Sequence, residues 1–202
     1  MKYDIFEEIH IFLLRKSNHL HFLNEIIKNN GVISIPNSKI NLFETLVKTI
    51  ISQQISSKAA NNIWMKITKI LKKKNVCLLD FLSSPKNCLA FQKIGISKQK
   101  YNYIKTIHKG FLTDNLSEVD LLNLKFNEFK EQLIQYKGIG EWTCNMIGIF
   151  YLQEKNIWPK DDLIIKKISK LVEARENQEI KFELMFKPYL SILALHFWKY
   201  SD

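Results

Sequence analysis

Glycine and proline are scarce in this chain of 202 residues, with six and four copies. That leaves few turn formers, and no strand or β-hairpin pattern stands out. Cysteine is scarce too. Cys77, Cys88 and Cys144 are odd in number and lack C-x-x-C spacing, so neither a disulfide framework nor a zinc or iron–sulfur site is indicated. All three are expected to be reduced, structural thiols. No apolar run approaches the roughly 18 residues of a membrane span. The first apolar stretch also carries Glu7 and Glu8, unlike the core of a secretory signal. The chain is therefore expected to be soluble and cytoplasmic. Acids are outnumbered: 20 Asp and Glu face 30 Lys and Arg, a formal charge of +10. Such a balance favours a polyanionic partner, either nucleic acid or an anionic membrane surface. Charge alone does not choose between them, and lysine-rich composition also simply keeps proteins soluble.

What is present is apolar periodicity. Hydrophobic residues make up 46% of the chain and aromatics 12%, ample for a core. They recur at three- and four-residue intervals almost throughout, which predicts an all-α fold. Helices are expected over 5–15 and 19–29, with Gly31 just past the second. An extended connection, 32–39, contains Pro36. A helix opens near Asn41, pauses around 52–56 at Gln53 and Gln54, and resumes to Leu71. Shorter helices are expected at 77–83 and 87–93. Ser97 then caps a helix that Gly110 ends. Segments 126–135 and 141–152 flank the turn Tyr136-Lys137-Gly138-Ile139-Gly140, which Ile94-Gly95-Ile96 weakly echoes. A further helix opens at Asp161 and Asp162, and a last one follows Pro188. The lysine run 72–74 and the pair His19 and His21 read as solvated faces.

Two segments carry chemistry. A G-I-G turn between helices removes side chains where the second helix begins, so a phosphodiester can approach N–H groups that point at it. The same dipeptide spacing also occurs in ordinary αα-hairpins. About twenty residues later, Trp158-Pro159-Lys160-Asp161-Asp162-Leu163 sets two carboxylates at a helix start, where the macrodipole and free N–H groups stabilise an anion. A carboxylate so held suits cleavage of an N-glycosidic bond, because the sugar gains oxocarbenium character as the base departs. An Asp pair at a helix start is, equally, an N-cap.

These segments, in this order, resemble the helix-hairpin-helix DNA glycosylases, most closely the 3-methyladenine DNA glycosylase II branch. Residues 41–64 resemble its early helix pair with a Gln-containing break, Gly138–Thr143 its hairpin, Trp158–Lys167 its catalytic segment and Pro188–Trp198 its terminal helix. The resemblance implies two α-helical lobes, 40–153 and 1–39 with 154–202, and an active-site cleft between them. It puts the catalytic Asp at Asp162 and the base pocket at Trp142, Trp198, Met146 and Trp158. Met146 stands where an aromatic is common. DNA contacts fall on Gly138, Ile139, Gly140 and Thr143, with Gln53 or Gln54 as the wedge that fills the gap left by a flipped base. Backbone carbonyls of Ile134, Tyr136 and Ile139 are candidates to hold a structural monovalent cation; no other cofactor is expected.

Departures from relatives refine this. Bifunctional members have a Schiff-base lysine where this chain has Trp142. No cysteine follows Cys144, so the iron–sulfur cluster of several relatives is not expected. The implied function is monofunctional excision of alkylated bases from double-stranded DNA by a monomer, in base excision repair. Its rivals are the same fold acting on another lesion, from another class a catalytically silent helix-hairpin-helix protein that binds branched or damaged DNA and, third, a structural or membrane-surface protein. The last is disfavoured by the dispersal of the positive charge.

Overall fold

The apolar periodicity closes into thirteen helices among the described residues: α1 (Ile5–Lys16), α2 (His21–Asn30), α3 (Leu42–Ser52), α4 (Ser57–Lys74), α5 (Leu78–Ser83), α6 (Pro85–Gln92), α7 (Lys98–Leu112), α8 (Glu118–Leu122), α9 (Phe126–Ile134), α10 (Glu141–Phe150), α11 (Leu163–Glu176), α12 (Phe182–Met185) and α13 (Leu190–Ser201). The structure, a computed structural model, describes residues 4–113 and 115–201, apart from the side chains of 88, 89 and 92. The thiol of Cys88 and residues 1–3 thus lie outside the described residues. Of the other cysteines, Cys77 is a free, exposed thiol and Cys144 a free, buried one, which burial pushes up to about 12. The fold is all-α, as the periodicity predicts. No described helix is long and apolar enough to cross a membrane.

The chain divides into two units, Met1–Asn37 with Gly148–Asp202, and Ser38–Ile147. The sequence expectation puts the breaks at 39/40 and 153/154. The second break instead falls inside α10, where a continuous helix gives no loop signal.

In the unit holding both termini, α13 is the central element. Its residues 190–197 are all buried, so no face is left to solvent over two turns. α2 and α11 pack on it, and α1 packs on α2. The N-terminus of α2 has no side-chain cap of its own. The Glu176 carboxylate, from the end of α11, accepts the N–H groups of Phe22 and Leu23 at 2.7 and 3.1 Å and takes that role. Ser191 on α13 ties down the loop before α11: it accepts from Ile157 N at 2.9 Å and donates to Glu154 O at 2.6 Å.

In the other unit, α3 packs against α4, α5 and α7. Asn41 caps it by accepting from Glu44 N at 2.8 Å, and Leu42, Phe43, Leu46, Val47, Ile50 and Ile51 are buried. Full burial of such side chains stabilises by about 1.5–3 kcal/mol each.

Gly110 does not end its helix. α7 runs on to Leu112, and Gly110 is buried within it. A Cβ there would lie 2.9 Å from Leu116 and 3.0 Å from the Tyr136 ring, so this glycine serves close packing against the hairpin rather than a turn. α8 and α12, with five and four residues, were not expected, because so short a helix shows no period.

His196 on α13 has 0% exposure, and Asn30 Nδ2 donates to its backbone carbonyl at 3.0 Å. Burial pulls its imidazole down to about 3, with His10 and Lys199 adding to the effect. Because the folded value lies below the unfolded one of about 6.5, the unfolded chain takes up the proton first as pH falls. Stability should therefore fall by about 1.4 kcal/mol per pH unit from about 6.5 towards 3 on account of this residue. Denaturant unfolding of wild type and His196→Leu across that range should show the difference between them shrinking or reversing as pH falls. A pH-independent difference would contradict the assignment.

Candidate functional site

The turn between α9 and α10 is held from three sides. Within it, Ile139 N donates to Tyr136 O at 3.0 Å, and Cys144 N donates to Gly140 O at 3.1 Å. From α3's end, Gln53 Nε2 donates to Gly138 O at 2.9 Å and to Thr143 Oγ1 at 3.0 Å. From α7, Tyr103 packs on Gly138 so closely that a Cβ there would lie 2.2 Å from its ring. Gly138 also adopts φ +96°, the left-handed region that glycine enters without strain. Lys130 on α9 and Glu141 on α10 form an ion pair across the turn at 3.0 Å.

The two glycines therefore differ. Gly138 answers to the protein itself. Gly140 is exposed, and a Cβ added to it would meet nothing within 4 Å. Nothing in the fold requires a glycine there, whereas a ligand backbone in close approach would. Ile139 is 5% exposed and roots the turn in the core, and Thr143, 1% exposed, serves the Gln53 bond. Tyr136 O already uses one lone pair on Ile139 N and keeps a second for another donor or a cation.

The two glutamines, equivalent in the sequence, are set apart. Gln53 is the side chain that clamps the hairpin. Gln54 is exposed and sits at φ +57°, a conformation that costs a non-glycine residue about 1 kcal/mol or more and that clusters at functional sites. Lys100 joins the site although no sequence motif marks it. Its Nζ donates to Ile51 O at 2.7 Å and to Gln53 O at 2.6 Å, satisfying carbonyls at the end of α3 and fixing the bend that carries Gln54. Burial pulls this ammonium down from its ordinary value. A lysine three residues after an N-cap serine shows no such partner in the sequence.

Asp162 is the N-cap of α11. Its Oδ1 accepts from Ile164 N at 2.9 Å and Ile165 N at 3.0 Å, and also from Trp198 Nε1 at 3.0 Å. Three N–H donors thus orient one carboxylate oxygen, two of them from the helix start and one from α13. Asp161 is placed differently. It is exposed and pairs with Lys166 at 3.0 Å, an arrangement that contributes little to stability.

Among the expected pocket aromatics, Trp198 is half-buried, with Phe150 at 5.7 Å between ring centroids. Trp142 is half-buried on α10, and Met146, one turn on, is buried. Trp158 stacks on Phe182 at 5.5 Å and meets Phe197 edge-on at 5.5 Å, a packing role within its own unit.

No protein-family model matches the chain. The DNA-3-methyladenine glycosylase 1 of Schizosaccharomyces pombe is 28% identical over 214 residues, covering 96% of this chain and 90% of that protein. The DNA-3-methyladenine glycosylase of Saccharomyces cerevisiae is 30% identical over 175 residues, which are 79% of this chain and 58% of that protein. In fold, the solved 3-methyladenine DNA glycosylase of Schizosaccharomyces pombe in complex with abasic DNA matches with a TM-score of 0.78 at 23% identity, over 96% of each chain. Over nearly its full length this chain is thus similar in sequence to a 3-methyladenine DNA glycosylase, and it shares the all-α fold of the solved one.

Proposed function

We propose that the protein is a monofunctional DNA glycosylase that hydrolyses the N-glycosidic bond of alkylated bases of the 3-methyladenine type. The observation that carries this reading is the Asp162 carboxylate, fixed by two α11 N–H groups and the Trp198 indole. As the C1′–N bond breaks, the electron pair leaves with the base and positive charge develops on the sugar. The oriented carboxylate stabilises that charge and directs water to C1′; the water loses a proton, and an abasic site remains. Alkylation at N3 of adenine or N7 of guanine gives the base a formal positive charge that weakens the same bond. Indole faces attract such a base by roughly 0.5–2 kcal/mol, the part we assign to Trp142 and Trp198, with Met146 a lesser contributor.

Gly140 admits the phosphate backbone to the hairpin, and Gln54, exposed on its strained bend, is the wedge, while Gln53 is structural. Neutral carbonyls of Ile134, Tyr136 and Ile139 suit a monovalent cation, which would add positive charge beneath that phosphate. In this role the protein is a cytoplasmic monomer acting on double-stranded DNA.

Incubation with randomly methylated duplex should release methylated purines, and borohydride should trap no covalent adduct during turnover, because an indole stands at the Schiff-base position. Efficient trapping would overturn the monofunctional reading. Tight binding to the lesion with no base released would mean a damaged-DNA-binding protein instead.

A further inference from the structure

Beside the hairpin, one face of α7 forms an open groove of about 410 Å³ with Lys137. Lys98, Gln99, Asn102, Tyr103 and Thr106 supply the α7 side. Positions 98, 102 and 106 follow one another at four-residue spacing and so share a helix face. Every lining group but the Tyr103 ring is polar or charged, and no Asp or Glu is among them. Lys98, Gln99, Asn102, Thr106 and Lys137 are exposed, and among the described residues neither lysine is in an ion pair.

The groove is joined to the hairpin through Tyr103. Tyr103 is its floor, held by a hydrogen bond from Gln99 Nε2. The same ring packs on Gly138, the residue after Lys137. Tyr103 thus sets α7 against the hairpin in the free protein. From Lys98 to Thr106 the lining extends over eight residues, about 12 Å of helix. Such a length suits an extended anion better than a single small one. Two ammonium groups flanked by amides and a hydroxyl are the donor set used for phosphodiester oxygens, with charge supplying affinity and neutral donors supplying register.

We propose that this groove is a second backbone-binding site, which takes the phosphates of the strand adjoining those at the hairpin, with Lys98 and Lys137 as its charges and Asn102 as a neutral donor. The proposal rests on the hairpin docking to DNA, and Lys137 belongs to both surfaces, which makes them continuous.

The test is the salt dependence of binding to undamaged duplex, measured for wild type, Lys98→Gln, Lys73→Gln and Gly140→Val. Each lost phosphate contact lowers the slope of log K against log salt by about 0.9. Lys98→Gln should lower it by about that much and weaken low-salt binding several-fold, while Lys73→Gln, at the far end of α4, should leave the slope unchanged. In duplexes with single phosphates replaced by methylphosphonate, Lys98→Gln should cease to matter at one position next to the hairpin's own. Wild-type slope in Lys98→Gln, together with impaired binding by Gly140→Val, overturns the groove and leaves the hairpin reading standing. Undiminished binding by Gly140→Val overturns the hairpin reading, and the groove proposal falls with it.

Discussion

Replacing Asp162 by Asn is expected to slow base excision by at least about 100-fold while leaving DNA binding intact, a loss of roughly 2.7 kcal/mol of transition-state stabilisation. The separation of effects follows from the hydrogen bonds at this residue. Oδ1 accepts from Ile164 N, Ile165 N and Trp198 Nε1, and the amide oxygen of Asn is likewise an acceptor at the same place. Asn also caps helices about as well as Asp, so α11 and its seat on α13 should survive. The change removes the charge facing the developing oxocarbenium. Asp161→Asn removes an exposed ion pair with Lys166 and should change excision by no more than a few-fold. Single-turnover rates on a lesion duplex, with affinity measured separately, decide the matter. A crippled Asp161→Asn beside a nearly silent Asp162→Asn would mean that the catalytic carboxylate is the other one.

The hairpin glycines should separate in the opposite sense, one through folding and one through binding. Gly138→Ala puts a Cβ 2.2 Å from the Tyr103 ring in a backbone at φ +96°. Left-handed strain costs about 1–3 kcal/mol and overpacking typically as much again, so thermal unfolding should shift down by many degrees. In Gly140→Val the added Cβ meets no atom within 4 Å in the free protein, and the variant should melt close to wild type. Its branched side chain would, however, stand where we place the phosphate, so affinity for undamaged duplex should fall by at least about tenfold, or roughly 1.4 kcal/mol. Wild-type affinity in a folded Gly140→Val would remove the hairpin from the docking surface.

Much of this was legible in the sequence because it is local. Helix existence followed from three- and four-residue apolar spacing, the Ser97 cap from its side-chain chemistry, and the break around Gln53 and Gln54 from the polar interruption between two periodic runs. Asp162 was legible as a helix start for the same reason. Gly110 shows the limit of local reading. A glycine near a helix end reads as a terminator, yet here the residue makes room for Tyr136, which lies 26 positions away in the chain and only 3.0 Å from its absent Cβ.

The sequence by itself determined the all-α class, the glycine hairpin, the acid at the start of α11 and the net charge of +10 that suits a polyanion. Each of these is written in residue type and short-range spacing, which chain geometry converts directly into structure. Only the tertiary structure decided which of two adjacent residues does what. It gave Gln53 to the hairpin and exposed Gln54, brought Trp198 across 36 positions to the Asp162 carboxylate, and turned Lys100 onto the end of α3. Those assignments depend on satisfying buried or half-buried polar groups, and a donor's partner is chosen by where folding brings an acceptor, which no local pattern records.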